Sequence, residues 1–150
     1  MDSMEQSRFG TLRGLIALFV LLGGDAIWFF LTKKYYSNVI KSIQGGSTPY
    51  YRLRFGLIAW ILLCSAIAVQ QPKKDKQAIV YGALVGLVVY GIFNSTNMAI
   101  FKQWTGTIGA IDTAWGVTIC LFSAWVTYRL SILWGLYPQE KEADSSSVSL

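Results

Sequence analysis

The sequence predicts an all-α, polytopic integral membrane protein with four transmembrane helices in an up-down bundle. Three observations predict it. Hydrophobic residues make up 53% of the 150 positions and charged residues 14%, against about 25% charged residues in an average soluble domain, so a globule of this size has too little polar surface to face water. Four apolar stretches approach or exceed the about 20 residues that a helix needs to cross a hydrocarbon core. Six Trp and eight Tyr accompany them, the residues that gather where hydrocarbon meets headgroups.

The first stretch runs from Leu12 to Leu31 and ends at Lys33-Lys34. It is too long for a signal-peptide core and has no small-residue cleavage site, so it reads as a retained helix. The second runs from Leu53 to Val69, bounded by Arg52 and Pro72. The third covers Ala78 to Phe101 and the fourth Ile108 to Leu133. Together they form one transmembrane domain over residues 11–136, preceded by a polar segment at 1–10 and followed by an acidic, serine-rich tail at 137–150 that reads as disordered.

The connections set the topology. The longest, Lys33 to Arg54, opens with Lys33-Lys34-Tyr35-Tyr36, Val39-Ile40 and Ile43, which suit a separate interfacial helix, and Gly45-Gly46-Ser47-Thr48-Pro49 breaks it. Gln70–Gln77 and Lys102–Thr107 are short, so neighbouring helices run antiparallel. Basic residues flank the spans on both sides. Arg8, Arg13, Lys73, Lys74 and Lys76 mark one face, and Lys33, Lys34, Lys41, Arg52, Arg54 and Lys102 the other. The second connection is more basic than the third, and Arg129 flanks the C-terminus, which favours a cytoplasmic N-terminus. These cations read as contacts to membrane lipid headgroups. A nucleic-acid partner is not expected, since no basic run is interleaved with exposed aromatics on a soluble module.

Histidine is absent, which removes the commonest general base and metal ligand. No metal site, cofactor or Ser-His-Asp triad is therefore expected. The two cysteines, Cys64 and Cys120, lie inside apolar stretches and read as small packing residues.

Ionisable groups inside a membrane are expensive and each needs a reason. Asp25 lies in the first span, Asn94, Thr96 and Asn97 late in the third, and Asp112 early in the fourth. Spans one and three run the same way and span four runs back. At 1.5 Å per residue, Asp25, Asn94, Asn97 and Asp112 then lie about 6–11 Å beneath one membrane face. Asp25 and Trp28 are three residues apart, as are Asp112 and Trp115, so each carboxylate shares a helix face with an indole. Tyr90, Asn94 and Asn97 share a face of the third span, and Gly82 and Gly86 allow close backbone approach. The indoles read first as packing residues, with N–H donation to a carboxylate as the alternative. Tyr35, Tyr36, Tyr50 and Tyr51 read as interface anchors.

Asp25-Ala-Ile-Trp28, Tyr35-Tyr36, Tyr50-Tyr51, Gly82-Ala-Leu-Val-Gly86-Leu87 with Tyr90, Thr96-Asn97-Met98-Ala99, Trp104 and Asp112-Thr-Ala-Trp115-Gly116 occur in that order between about residues 11 and 130. In this ordered set the chain resembles the small bacterial predicted membrane proteins grouped as domain of unknown function family 2177. The resemblance implies four helices and a bacterial-type inner-membrane protein, and carries no established activity. The family's pattern in the third span is close to Tyr-x-x-Tyr-Asp-x-Thr-Asn. This chain keeps Tyr90, Thr96 and Asn97 but has Phe93 and Asn94 at the second Tyr and the Asp. A proton-carrying step through that carboxylate would here fall to Asp25 or Asp112.

Three functions fit these residues. A small transporter or ion-coupled carrier would bind a proton or cation at the carboxylates and a small solute at Asn94, Thr96 and Asn97; a bundle this small is expected to work as a homodimer. A lipid-modifying enzyme or accessory factor would use a site just beneath the headgroups, although no nucleophile–base pair is recognisable. An assembly protein would use the same polar groups as an interhelical clamp. An interhelical polar contact in a bilayer averages about 0.6 kcal/mol, whereas a carboxylate at a helix centre costs about 2.5–3.5 kcal/mol on insertion scales. Two carboxylates are a poor clamp on those figures, so a ligand-binding role is favoured.

Overall fold

The computed structural model describes residues 3–70 and 72–136. Four helices account for nearly all of it: α1 (Ser3–Ile43), α2 (Leu53–Ala68), α3 (Asp75–Ile100) and α4 (Gly106–Leu133). Three of them, α1, α3 and α4, are long and apolar enough to cross a membrane; α2 is apolar but has only 16 residues. The tail expected at 137–150 lies outside the described residues.

α1 differs most from expectation. It does not stop at Lys33-Lys34 but continues as one helix to Ile43, for 41 residues in all. No separate interfacial helix follows it, and the polar segment from Ser3 onward is already helical. Lysine is a good helix former, so a change from apolar to basic residues marks the end of a hydrocarbon-facing stretch without ending the helix. The stop comes at Gly45 and Gly46, whose φ values of 68° and 86° are left-handed and open to glycine without a Cβ penalty. The Gly46 N–H donates to the Lys41 carbonyl at 2.8 Å, closing the last turn.

Side-chain contacts fix the directions. α2 runs back along α1, with Trp60 bonded to Asp25 and Ala68 beside Gly14. At 1.5 Å per residue, α2 therefore lies alongside α1 from Gly14 to about position 32, leaving the rest of α1 to extend past it. α4 also runs antiparallel to α1, with Ser123 donating to the Ala17 carbonyl at 3.3 Å at one level and Trp115 meeting Asp25 at another. α3 and α4 form the most extensive pair. Gly82 and Gly86 of α3 lie against the α4 backbone; a Cβ at Gly82 would come within 2.6 Å of Leu121 Cα, and one at Gly86 within 2.7 Å of Val117 Cα. α4 thus touches all three other helices, while α1 and α3 do not pack on one another among the described residues.

The interior divides along the bundle axis. Below the level of Asp25 it is filled by a core of Ala17, Leu21, Leu63, Cys64, Ile67, Ile119, Cys120 and Ala124. Both cysteines are buried and unbridged. Above that level the space between α1 and α3 stays open.

At the far end of the bundle, Asp75 in the first turn of α3 accepts from Trp125 Nε1 at 3.0 Å and pairs with Arg129 Nε at 2.7 Å. Both partners of that pair are well exposed, so its contribution is small.

Candidate functional site

The open half holds a cavity of about 450 Å3 whose wall takes residues from all four helices. Its floor is Leu63, at the edge of the core, and Ile40 and Tyr51 stand at its outer end. Between them aromatic side chains dominate: Trp28, Phe29 and Tyr36 from α1, Trp60 from α2, Tyr90 and Phe93 from α3, Trp104 from the α3–α4 connection and Trp115 from α4. Asp25 and Asp112 line the same space.

Each carboxylate is held by two neutral donors from other parts of the bundle. Trp60 Nε1 donates to Asp25 Oδ2 at 2.7 Å and Trp115 Nε1 to Asp25 Oδ1 at 3.2 Å, so Asp25 ties α1 to α2 and α4. Tyr36 Oη donates to Asp112 Oδ1 at 3.0 Å and Asn94 Nδ2 to Asp112 Oδ2 at 2.9 Å, so Asp112 ties α4 to α1 and α3. Asn94 is almost fully enclosed, at 1% exposure, and its other groups are satisfied. Its amide also donates to the Tyr90 carbonyl at 2.9 Å, and its oxygen accepts from Trp104 Nε1 at 2.9 Å. Among the described residues no Lys or Arg pairs with either carboxylate.

The local sequence explains these placements. Asp112 lies in the second turn of α4, which begins where the Thr105 hydroxyl accepts from the Ile108 N–H at 3.4 Å. Gly116, one turn further on, leaves room for the Tyr90 ring, which lies where a Cβ would stand. Tyr90 and Asn94 are four residues apart on α3 and share its α4-facing side. Trp28 stacks on Trp115 with ring centroids 4.8 Å apart and planes at 6°, which holds the Trp115 N–H towards Asp25.

The structure therefore brings Asp25, Asn94 and Asp112 to one site with Tyr90, Trp28 and Trp115 around them. Thr96 and Asn97 do not join it. Thr96 follows Asn94 by two positions, about 200° around a helix, and is exposed on another face. Asn97 lies nearly a turn further out, half-buried, and neither residue lines the cavity. The indoles do more than pack: Trp115 donates to Asp25. Tyr36, read as an interface anchor, instead donates to Asp112, and Tyr51 stands at the cavity's outer end. Trp60 and Trp104 were not among the expected site residues. Trp60 carries a usable signal, since it lies on the second span two turns in from Arg54, the level at which Asp25 is expected.

Among the described residues no group of three or more His, Cys, Asp or Glu side chains is placed to hold a metal ion. What the arrangement can do is hold two oriented carboxylates in a largely apolar, aromatic-walled space that spares them from bulk water.

A helical chain with three long apolar helices and a polar site enclosed among them is a membrane protein in class. The family described as Predicted membrane protein (DUF2177) matches residues 12–129, and the chain belongs to it. No curated protein and no solved structure matches the chain.

Proposed function

We propose that this chain is a four-span membrane protein of the carrier type that binds a small solute or ion in the cavity between its helices. α2 completes the four spans in this reading. Its 16 residues cover about 24 Å, against a hydrocarbon core of about 30 Å. It nevertheless lies beside α1 from Gly14 to about position 32, the stretch of α1 that composition marks as hydrocarbon-facing. The N-terminus lies on the cytoplasmic side, and the exposed apolar residues of all four helices face lipid or a second copy in a homodimer.

The observation that carries the reading is the pair of buried carboxylates lining one cavity with no cationic partner among the described residues. A purely structural network would use neutral groups at lower cost. The clamp remains the second reading, because each carboxylate oxygen accepts a hydrogen bond from another part of the bundle.

Thermal unfolding of Asp25→Asn and Asp112→Asn in mild detergent separates the two. Asn removes the charge and turns one acceptor into a donor, so one of the two bonds is lost, about 1.5–3 kcal/mol for a bond to a charged group. Removing a charge at this depth returns at most about 2.5–3.5 kcal/mol, the figure for a helix centre. The binding reading expects both variants to melt at or above the parent. A clear drop in both melting temperatures would identify a clamp and sink the binding reading.

A further inference from the structure

The geometry points to a lipophilic organic cation as the ligand: a bulky ammonium- or phosphonium-type ion taken from the membrane, its charge set between Asp25 and Asp112 and against the aromatic walls. This rests on the ligand-binding reading above and names the class of ligand.

Four neutral donors orient the two carboxylates, and none brings a positive charge. In a low-dielectric space such a pair ionises only at a cost, and a bound cation is the complement that favours its charged form.

Organic and inorganic cations ask different things of such a site. A hard metal ion takes about six oxygen ligands at short range. Here both oxygens of each carboxylate already accept an N–H or O–H, and the remaining wall is mostly hydrocarbon and ring. A cation with its charge spread over alkyl or aryl groups needs no direct oxygen ligands. It responds to the field of the carboxylates and to the negative faces of Trp and Tyr rings. Trp60, Tyr36 and Tyr51 are among the aromatic residues that line the cavity. A volume of about 450 Å3 falls in the range of small-molecule sites.

The outer end of the cavity lies at the face carrying Lys33, Lys34, Lys41, Arg52, Arg54 and Lys102, all exposed, while the carboxylates between positions 25 and 112 other than the two in the site are limited to Asp75 at the opposite end. That rim repels a cation arriving from water. Phe29 and Phe93 line the cavity and are about half exposed, at 55% and 51%, so no other side chain closes the wall they form. Entry is therefore sideways from the hydrocarbon, which selects a cation that already partitions there.

The test uses two ions of nearly the same shape and opposite charge, tetraphenylphosphonium and tetraphenylborate, in equilibrium dialysis against the purified protein in mild detergent, with protein-free detergent as background. The expected result is saturable binding of tetraphenylphosphonium at least tenfold tighter than of tetraphenylborate, with at least a fivefold loss in Asp25→Asn. Tyr51→Leu, at an exposed position that packing does not depend on, is expected to weaken the phosphonium two- to fivefold and leave the borate unchanged; it keeps the question open to test if Asp25→Asn does not fold. Equal or tighter binding of the borate overturns the cation assignment and leaves the ligand-binding reading standing. Equal weakening of both ions by Tyr51→Leu overturns it as well. Saturable binding of neither ion overturns the cation assignment, and if the two Asp→Asn variants also melt well below the parent, the ligand-binding reading falls with it.

Discussion

The two halves of this bundle are built from the same four helices and differ in what fills them. Below Asp25 the interior residues are small or aliphatic, with Ala17, Leu21, Cys64, Ile67, Cys120 and Ala124 meeting in a closed core. Above Asp25 they are large, flat and hydrogen-bonding, with Trp28, Trp60, Trp104, Trp115 and Tyr36 around a cavity. Aliphatic chains interdigitate and draw helices together. Indoles that stack on one another or donate to a carboxylate are held in fixed orientations, and the space beside them is not filled by neighbours. The contrast teaches that an opening in a small bundle needs no kink or unwound segment. It follows from which side chains are tied to each other.

The comparison breaks most readily in the closed half. Gly82→Ala places a methyl against the Cys120 carbonyl and the Leu121 backbone, which no rotamer change relieves. It is expected to destabilise by about 1–3 kcal/mol, read as a lower midpoint of unfolding in denaturant. Leu21→Ala, at a fully buried position, comes next. Lipid is as apolar as leucine, so the transfer part of the usual cost is absent and the unfilled volume remains, about 1–2 kcal/mol. The smallest effect is expected in the open half. Trp28→Leu removes the stack on Trp115, worth about 0.5–1.5 kcal/mol, and frees the Trp115 indole from its orientation towards Asp25. A shift in Trp fluorescence should accompany a drop in the unfolding midpoint smaller than that of Gly82→Ala. A Trp28→Leu loss larger than that of Gly82→Ala would mean that the aromatic half, and not the glycine seam, holds the helices together.

Much of the fold is legible in the sequence, because apolar length and the spacing of basic residues are direct consequences of the solvent. The α3–α4 seam follows from Gly82 and Gly86, four residues apart on one helix face. The extent of α1 does not follow. Hydropathy falls at Lys33 because the surroundings change, and the helix continues because nothing in Lys33–Ile43 breaks it. In the site, Asp25, Asn94 and Asp112 stand out because polar groups inside a membrane are costly, and antiparallel packing alone brings them to one level. Tyr36, Trp60 and Trp104 do not stand out, because Trp and Tyr near a membrane edge have an ordinary reason to be there. Thr96 illustrates the opposite error: it is polar and adjacent in sequence, yet a two-residue step on a helix turns a side chain away. The four-residue spacing that groups Tyr90 with Asn94 on one helix face already separates Thr96 from them.

α1 is unbroken from Ser3 to Ile43, about 60 Å of rod. It carries Asp25 within the bundle and Tyr36 eleven residues further along, bonded to the other carboxylate. With no hinge between them, the two attachments move as one body. Displacing α1 from α4 would lengthen the Trp115–Asp25 and Tyr36–Asp112 bonds together, so both carboxylates would lose a donor at once. The stretch beyond position 36, reaching to the Gly45-Gly46 turn, extends that rigid body by about 10 Å past the second attachment, so a displacement of its tip is felt at both carboxylates.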